Sequence, residues 1–142
     1  MYATYDDMLI RFGETKLTQL TDRVTPPTRQ PDRAVIEAAL GDATQLIDGY
    51  AAARYVTPLS PVPAPVRRWC ADIAFYYLHA SGIVPEDVRK MFETALAGLK
   101  DMSKGVIIFQ AEGLPSAEAS ASGSIQTVAP ERIFTPESLG GF

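Results

Sequence analysis

The chain has 142 residues, 46% hydrophobic and 21% charged, with a formal net charge of −4. This is the composition of one domain with a moderate core, and its single cysteine and single histidine exclude an intrachain disulfide and a Cys/His zinc site. The acidic balance argues against a general nucleic-acid binder, which needs clustered Lys and Arg, and the longest apolar run, residues 73–78, is too short to span a bilayer.

The opening residues, MYATYDDMLIRFG, carry acids where a signal peptide carries a basic region, so the protein is expected to stay in the cytoplasm where it is made. Thr4 is a good N-cap, and Asp6 and Asp7 follow in the first turn, where negative charge suits the helix dipole. Met8, Leu9 and Phe12 share one side of this first helix, and Gly13 ends it. A short second helix is predicted over about 14–22, with Leu17 and Leu20 three apart, before VTPPTRQP breaks the pattern.

The clearest helix is predicted from about Asp32 to Tyr55. Ile36, Leu40, Ala43, Ile47, Tyr50 and Ala51 recur at steps of three and four, which places Tyr50 on the buried stripe. Gly41 and Gly49 weaken that helix and, with the alanines nearby, are expected to let another backbone approach closely. Pro58, Pro61, Pro63 and Pro65 then form a stiff connector, with Pro65 in the first turn of the next helix.

That helix, VRRWCADIAFYYLHAS, shows Val66, Trp69, Cys70, Ile73 and Tyr77 on one face with Ala74 and Leu78 beside it. So wide an apolar surface marks it as the central element. Pro85, Glu86 and Asp87 start another helix, striped by Val88, Met91, Phe92, Ala95, Leu99 and Met102 and terminated by Gly105. VIIF at 106–109 reads as a short strand or an extended packing segment.

Beyond it the composition changes. AEGLPSAEASASGS has few large apolar residues, and they return as single anchors, Ile125, Val128, Ile133, Phe134, Leu139 and Phe142, between prolines and glycines. The chain therefore divides into an all-α bundle of four to five helices over 1–110 and a low-complexity linker with a C-terminal docking arm over 111–142.

No residue pattern here carries catalysis. On one helix, Cys70 and His79 lie about 13 Å apart along the axis at 1.5 Å per residue, too far for a Cys/His dyad. Cys70 reads as a small buried hydrophobe, and His79 as a capping cation or a surface residue. Asp72 is the ambiguous charge: the simpler reading pairs it with Arg68 four residues earlier, the sharper one with Arg54 or a tyrosine hydroxyl. No phosphate loop, metal spacing or cofactor motif is apparent, so no catalytic, cofactor-binding or metal residue is assigned.

Four landmarks occur in order: YATYDDMLIRFG, AALGDATQLIDGYAAARYVTPL, VRRWCADIAFYYLH and PEDVRKMFETALAGLKDMSKG. Over about residues 2–110 the chain resembles the Mu-type phage and prophage proteins assigned to the head–tail junction. IDGYAAARY followed by TPL, and CADIA in the next helix, are the most specific pieces; RIFTPESLGGF is also similar to that family's ending, though Pro136 stands where a basic residue is usual. The resemblance implies a structural neck protein with no cofactor. It also implies a homo-oligomeric ring, expected to be twelvefold, that meets the portal protein and a tail-proximal neck protein. Such a protein would pass from the host cytoplasm to the virion neck, with no membrane and no specific nucleic-acid partner. A ring of acidic subunits is further expected to repel DNA passing through it.

The interface candidates are Arg54 and Tyr55 at the end of the third helix, since Arg and Tyr are favoured at interfaces, and Ile133, Phe134, Leu139 and Phe142 in the arm. The competing reading is a helical assembly chaperone or protein-binding module that never enters the virion.

Overall fold

The computed structural model describes residues 1–79 and 82–109. Over these residues the protein is all-α, with five helices and no strand: α1 Tyr5–Phe12, α2 Glu14–Thr21, α3 Arg33–Ala51, α4 Ala64–Leu78 and α5 Glu86–Lys104.

Local chemistry sets the helix ends. Thr4 and Asp7 form a capping box on α1, the Thr4 hydroxyl accepting from Asp7 N–H and the Asp7 carboxylate from Thr4 N–H. Asp32 caps α3 by accepting from Ala34 and Val35 N–H. Pro85 precedes α5, acids fill its first turn, and Gly105 closes it at φ 77°, the left-handed region a glycine occupies without strain.

The third helix is shorter than its apolar pattern suggests. It ends at Ala51, and the Arg54 and Tyr55 amides both donate to the Ala51 carbonyl, at 3.0 and 2.8 Å. This turn swings Tyr55 inward. Tyr55 is 5% exposed, whereas Tyr50 is only half-buried, so the two tyrosines exchange the places that periodicity gives them.

α3, α4 and α5 form the core, with α4 against both of the others and against α1. Cys70 approaches Leu40 and Thr44, while Trp69 meets Gly98 and Tyr76 stacks on Phe92, so α4 runs antiparallel to its neighbours. α3 and α5 are therefore parallel, and their C-terminal ends meet where Arg54 donates to the Lys104 carbonyl. Ile36, Leu40, Ile47, Ile73, Val88, Leu99 and Met102 are among the fully enclosed side chains.

α1 and α2 cover one side of this core, Phe12 stacking on Phe75 at 3.8 Å between ring centroids. The loop to α3 is clasped by the Asp22 carboxylate, which accepts from Arg29 N–H and from the Thr28 amide and hydroxyl. These bonds, the Arg29 amide first, hold the Asp22 carboxyl below its usual range.

The glycines differ from expectation. A Cβ at Gly41 or Gly49 would meet nothing within 4 Å, so neither marks a close backbone approach. The close approaches are at Gly98, under the Trp69 ring, and at Gly105, under the Arg54 guanidinium.

Candidate assembly surface

Tyr55 lies inside its own chain's core. Its hydroxyl accepts from Phe109 N–H at 3.0 Å, and the two rings lie 6.4 Å apart. Arg54 is half-buried and committed to Lys104 at 3.3 Å. Arg54 and Tyr55 thus form a clasp between the end of α3 and the segment after α5. The 106–109 segment packs rather than pairs: Val106 and Ile107 N–H donate to the Asp101 carbonyl, and Phe109 lies against Tyr55 and Trp69. Ile133, Phe134, Leu139 and Phe142, with Ile125 and Val128, lie outside the described residues.

A second clasp holds the N-terminal segment and was not legible in the sequence. The Tyr2 hydroxyl donates to the Asp48 carboxylate and accepts from Leu59 N–H at 2.8 Å, tying the N-terminal segment to α3 and to the proline-rich connector. Burial, reinforced by Asp48, pushes this phenol up to about 12. Its sequence signal is slight: an aromatic two residues ahead of a capping box.

Cys70 and His79 have separate partners. Cys70 is fully enclosed, 3.7 Å from Thr44 Oγ1, and burial raises its thiol above the ordinary value. His79 stands at the C-cap of α4 and is buried rather than superficial, with Nδ1 2.8 Å from the Phe75 carbonyl oxygen.

Asp72 pairs with none of the partners its neighbourhood in sequence offers. It faces α1, where Arg11 Nη2 and Nε lie 2.7 and 2.8 Å from Asp72 Oδ1. Its side chain is 7% exposed, and burial pushes the carboxyl above its ordinary value although Arg11 opposes the shift. Arg68 acts on it only at a distance, because its own side chain points to solvent.

Around this ion pair lies a groove of about 710 Å³ between α1, α4 and α5. Ala64, Pro65, Trp69 and Met91 give it an apolar lining, and Arg11, Arg68 and Lys90 stand at its edges. A smaller hollow of about 360 Å³ shares Arg11, Ala64 and Arg68 with it and adds Arg67 and Asp7. Four cations here face two carboxylates, in a chain whose net charge is −4. The Arg67/Arg68 pair alone is a small basic patch, and only the fold adds Arg11 and Lys90 to it. This shape and charge suit an extended, acidic, partly apolar segment of protein.

Among the described residues, no group of His, Cys, Asp and Glu has the arrangement of a metal site, and no helix is long and apolar enough to cross a membrane.

Comparison with known proteins supplies the kinship. The family model described as Bacteriophage Mu, Gp36 matches residues 2–127. Gene product J of Escherichia phage Mu is 33% identical over 139 residues, which cover 98% of this chain and 97% of that protein. The Mu-like prophage FluMu protein gp36 of Haemophilus influenzae is 33% identical over 107 residues, covering 75% of this chain and 74% of the relative.

Proposed function

The chain belongs to the bacteriophage Mu Gp36 family, and from that premise we propose that it is a structural protein of the phage head–tail junction. In this reading it completes the head as a ring between the portal protein and the tail-proximal neck protein, and its work is assembly. The observation that carries the reading is the match to a phage Mu protein over nearly the whole chain, along which the four sequence landmarks behind the head–tail resemblance stand in order. The groove between α1, α4 and α5, apolar in its lining and cationic at its edge, supports it as a surface of the described residues suited to protein contact.

The test is deletion of this protein from a phage or inducible prophage that carries it, with electron microscopy of the lysate and mass spectrometry of purified wild-type virions. Filled or leaking heads and free tails should accumulate unjoined, and the protein should be present in wild-type particles. Joined, infectious particles without it, together with its absence from the virion, would overturn the reading in favour of an assembly chaperone.

A further inference from the structure

Residues 1–3 lie ahead of α1 and belong to no helix, yet Tyr2 is 4% exposed and Ala3 is fully enclosed. Side chains of other elements hold them. Tyr2 N–H donates to Thr44 Oγ1 at 3.4 Å, and the Tyr2 hydroxyl joins the Asp48 carboxylate of α3 to the Leu59 amide of the proline-rich connector. Beneath them lies Cys70, fully enclosed, its sulfur 3.7 Å from Thr44 Oγ1 and faced by the amides of Ala3 and Tyr2. No helix depends on these bonds. α1 is closed by its own capping box at Thr4, and the Thr44 hydroxyl donates to the Leu40 carbonyl of its own helix at 2.8 Å. Residues 1–3 can therefore swing out about Thr4 at the cost of their own contacts and without the loss of a helical turn.

We propose that residues 1–3 are a releasable latch: they open as a unit while all five helices stay folded, and the Tyr2 hydroxyl sets how often they do. The connector is the second part that the latch governs. Leu59 is 3% exposed and its amide finds an acceptor in the Tyr2 hydroxyl, so a departing phenol leaves that amide to water and loosens the connector's hold on α3. One side chain thus couples the segment ahead of α1 to the connector between α3 and α4. Both can change shape while α3, α4 and α5 remain packed. This device does not depend on the head–tail reading.

Cys70 is the single cysteine, so its rate of modification by an aromatic disulfide reagent reports on opening in the full chain. Tyr2→Phe keeps the ring and removes both hydroxyl bonds, so labelling should become about tenfold faster. Asp48→Ala acts on the same latch from the α3 side; it should also speed labelling, and add little when combined with Tyr2→Phe. Val88→Ala, in the α5 part of the core, lowers global stability and should leave the labelling rate in the absence of denaturant unchanged. Circular dichroism checks that the helices are intact. Labelling of Tyr2→Phe at the wild-type rate would overturn the proposal. So would an acceleration by Val88→Ala as large as that by Tyr2→Phe, or a wild-type rate that climbs with urea as steeply as global unfolding. Either would mean that reagent reaches Cys70 only through the unfolded chain.

Discussion

A carboxylate with 7% of its side chain exposed must be met by a cation, and for Asp72 that cation arrives from 61 residues away. The Arg68 four residues earlier offers a local pairing, but local spacing does not reveal that Asp72 turns toward α1 while Arg68 turns outward. Replacing Arg11 with Met keeps much of the packing and strands the carboxylate. Because Arg11 is itself partly exposed, the expected loss is about 2 kcal/mol at neutral pH, below the range for fully buried pairs. The pH dependence follows from the direction of the Asp72 shift. A carboxyl raised in the folded state favours folding below its unfolded value, near 3.8, and that contribution is lost as pH rises through the folded value. Without Arg11 the carboxyl is raised further, so the deficit of Arg11→Met should be largest at pH 7 and shrink toward pH 4. Urea unfolding at both pH values measures this, and a deficit independent of pH would contradict it. Cys70, by contrast, was readable as a small core residue, since the apolar stripe of its own helix already encloses it.

At the scale of the element, the sequence is most legible where a helix begins or ends with its own chemistry. Thr4, Gly13, Asp32 and Gly105 were readable because a cap or a left-handed glycine acts on neighbouring backbone. The end of α3 was not, because apolar spacing continues past Ala51 to Tyr55, and only the bonds to the Ala51 carbonyl show the turn. The glycines separate the same two kinds of information. Gly49 faces open space, so Gly49→Ala should stabilise by about 1 kcal/mol through helix propensity alone. Gly98→Ala gains the same propensity but drives a methyl into the Trp69 ring, an overpacking cost of about 1–3 kcal/mol, so the net change should be zero or destabilising. Thermal melts of the two variants would settle it: equal stabilisation by both would mean that Trp69 does not press on α5 as described.

For the molecule as a whole, α4 is the most extensively packed element, touching α1, α3 and α5 as α3 touches α1, α4 and α5, while α2 is anchored chiefly through α1. Its amides should therefore exchange slowest with deuterated solvent and those of α1 and α2 fastest among the helices, as hydrogen-exchange mass spectrometry would show. Exchange in α1 as slow as in α4 would count against this hierarchy. The bundle was readable from stripes at steps of three and four, which report what each helix hides. The groove was not, because it belongs to no single helix: it exists only where α1 lies across α4 beside α5, and its cations come from positions 11, 67, 68 and 90.

The parallel course of α3 and α5 gives the subunit two unlike ends. Exposed Val56, Val106 and Ile108 follow the C-terminal ends of these helices, at the end that also carries the start of the proline-rich connector; exposed Val24 and Ile83 precede their N-terminal ends. In a ring closed by rotation every copy points the same way, so this difference between ends would be copied around the circle as a difference between its two faces. Such a ring would be a one-way washer: it could not be fitted upside down and still offer the same rim to what lies above it.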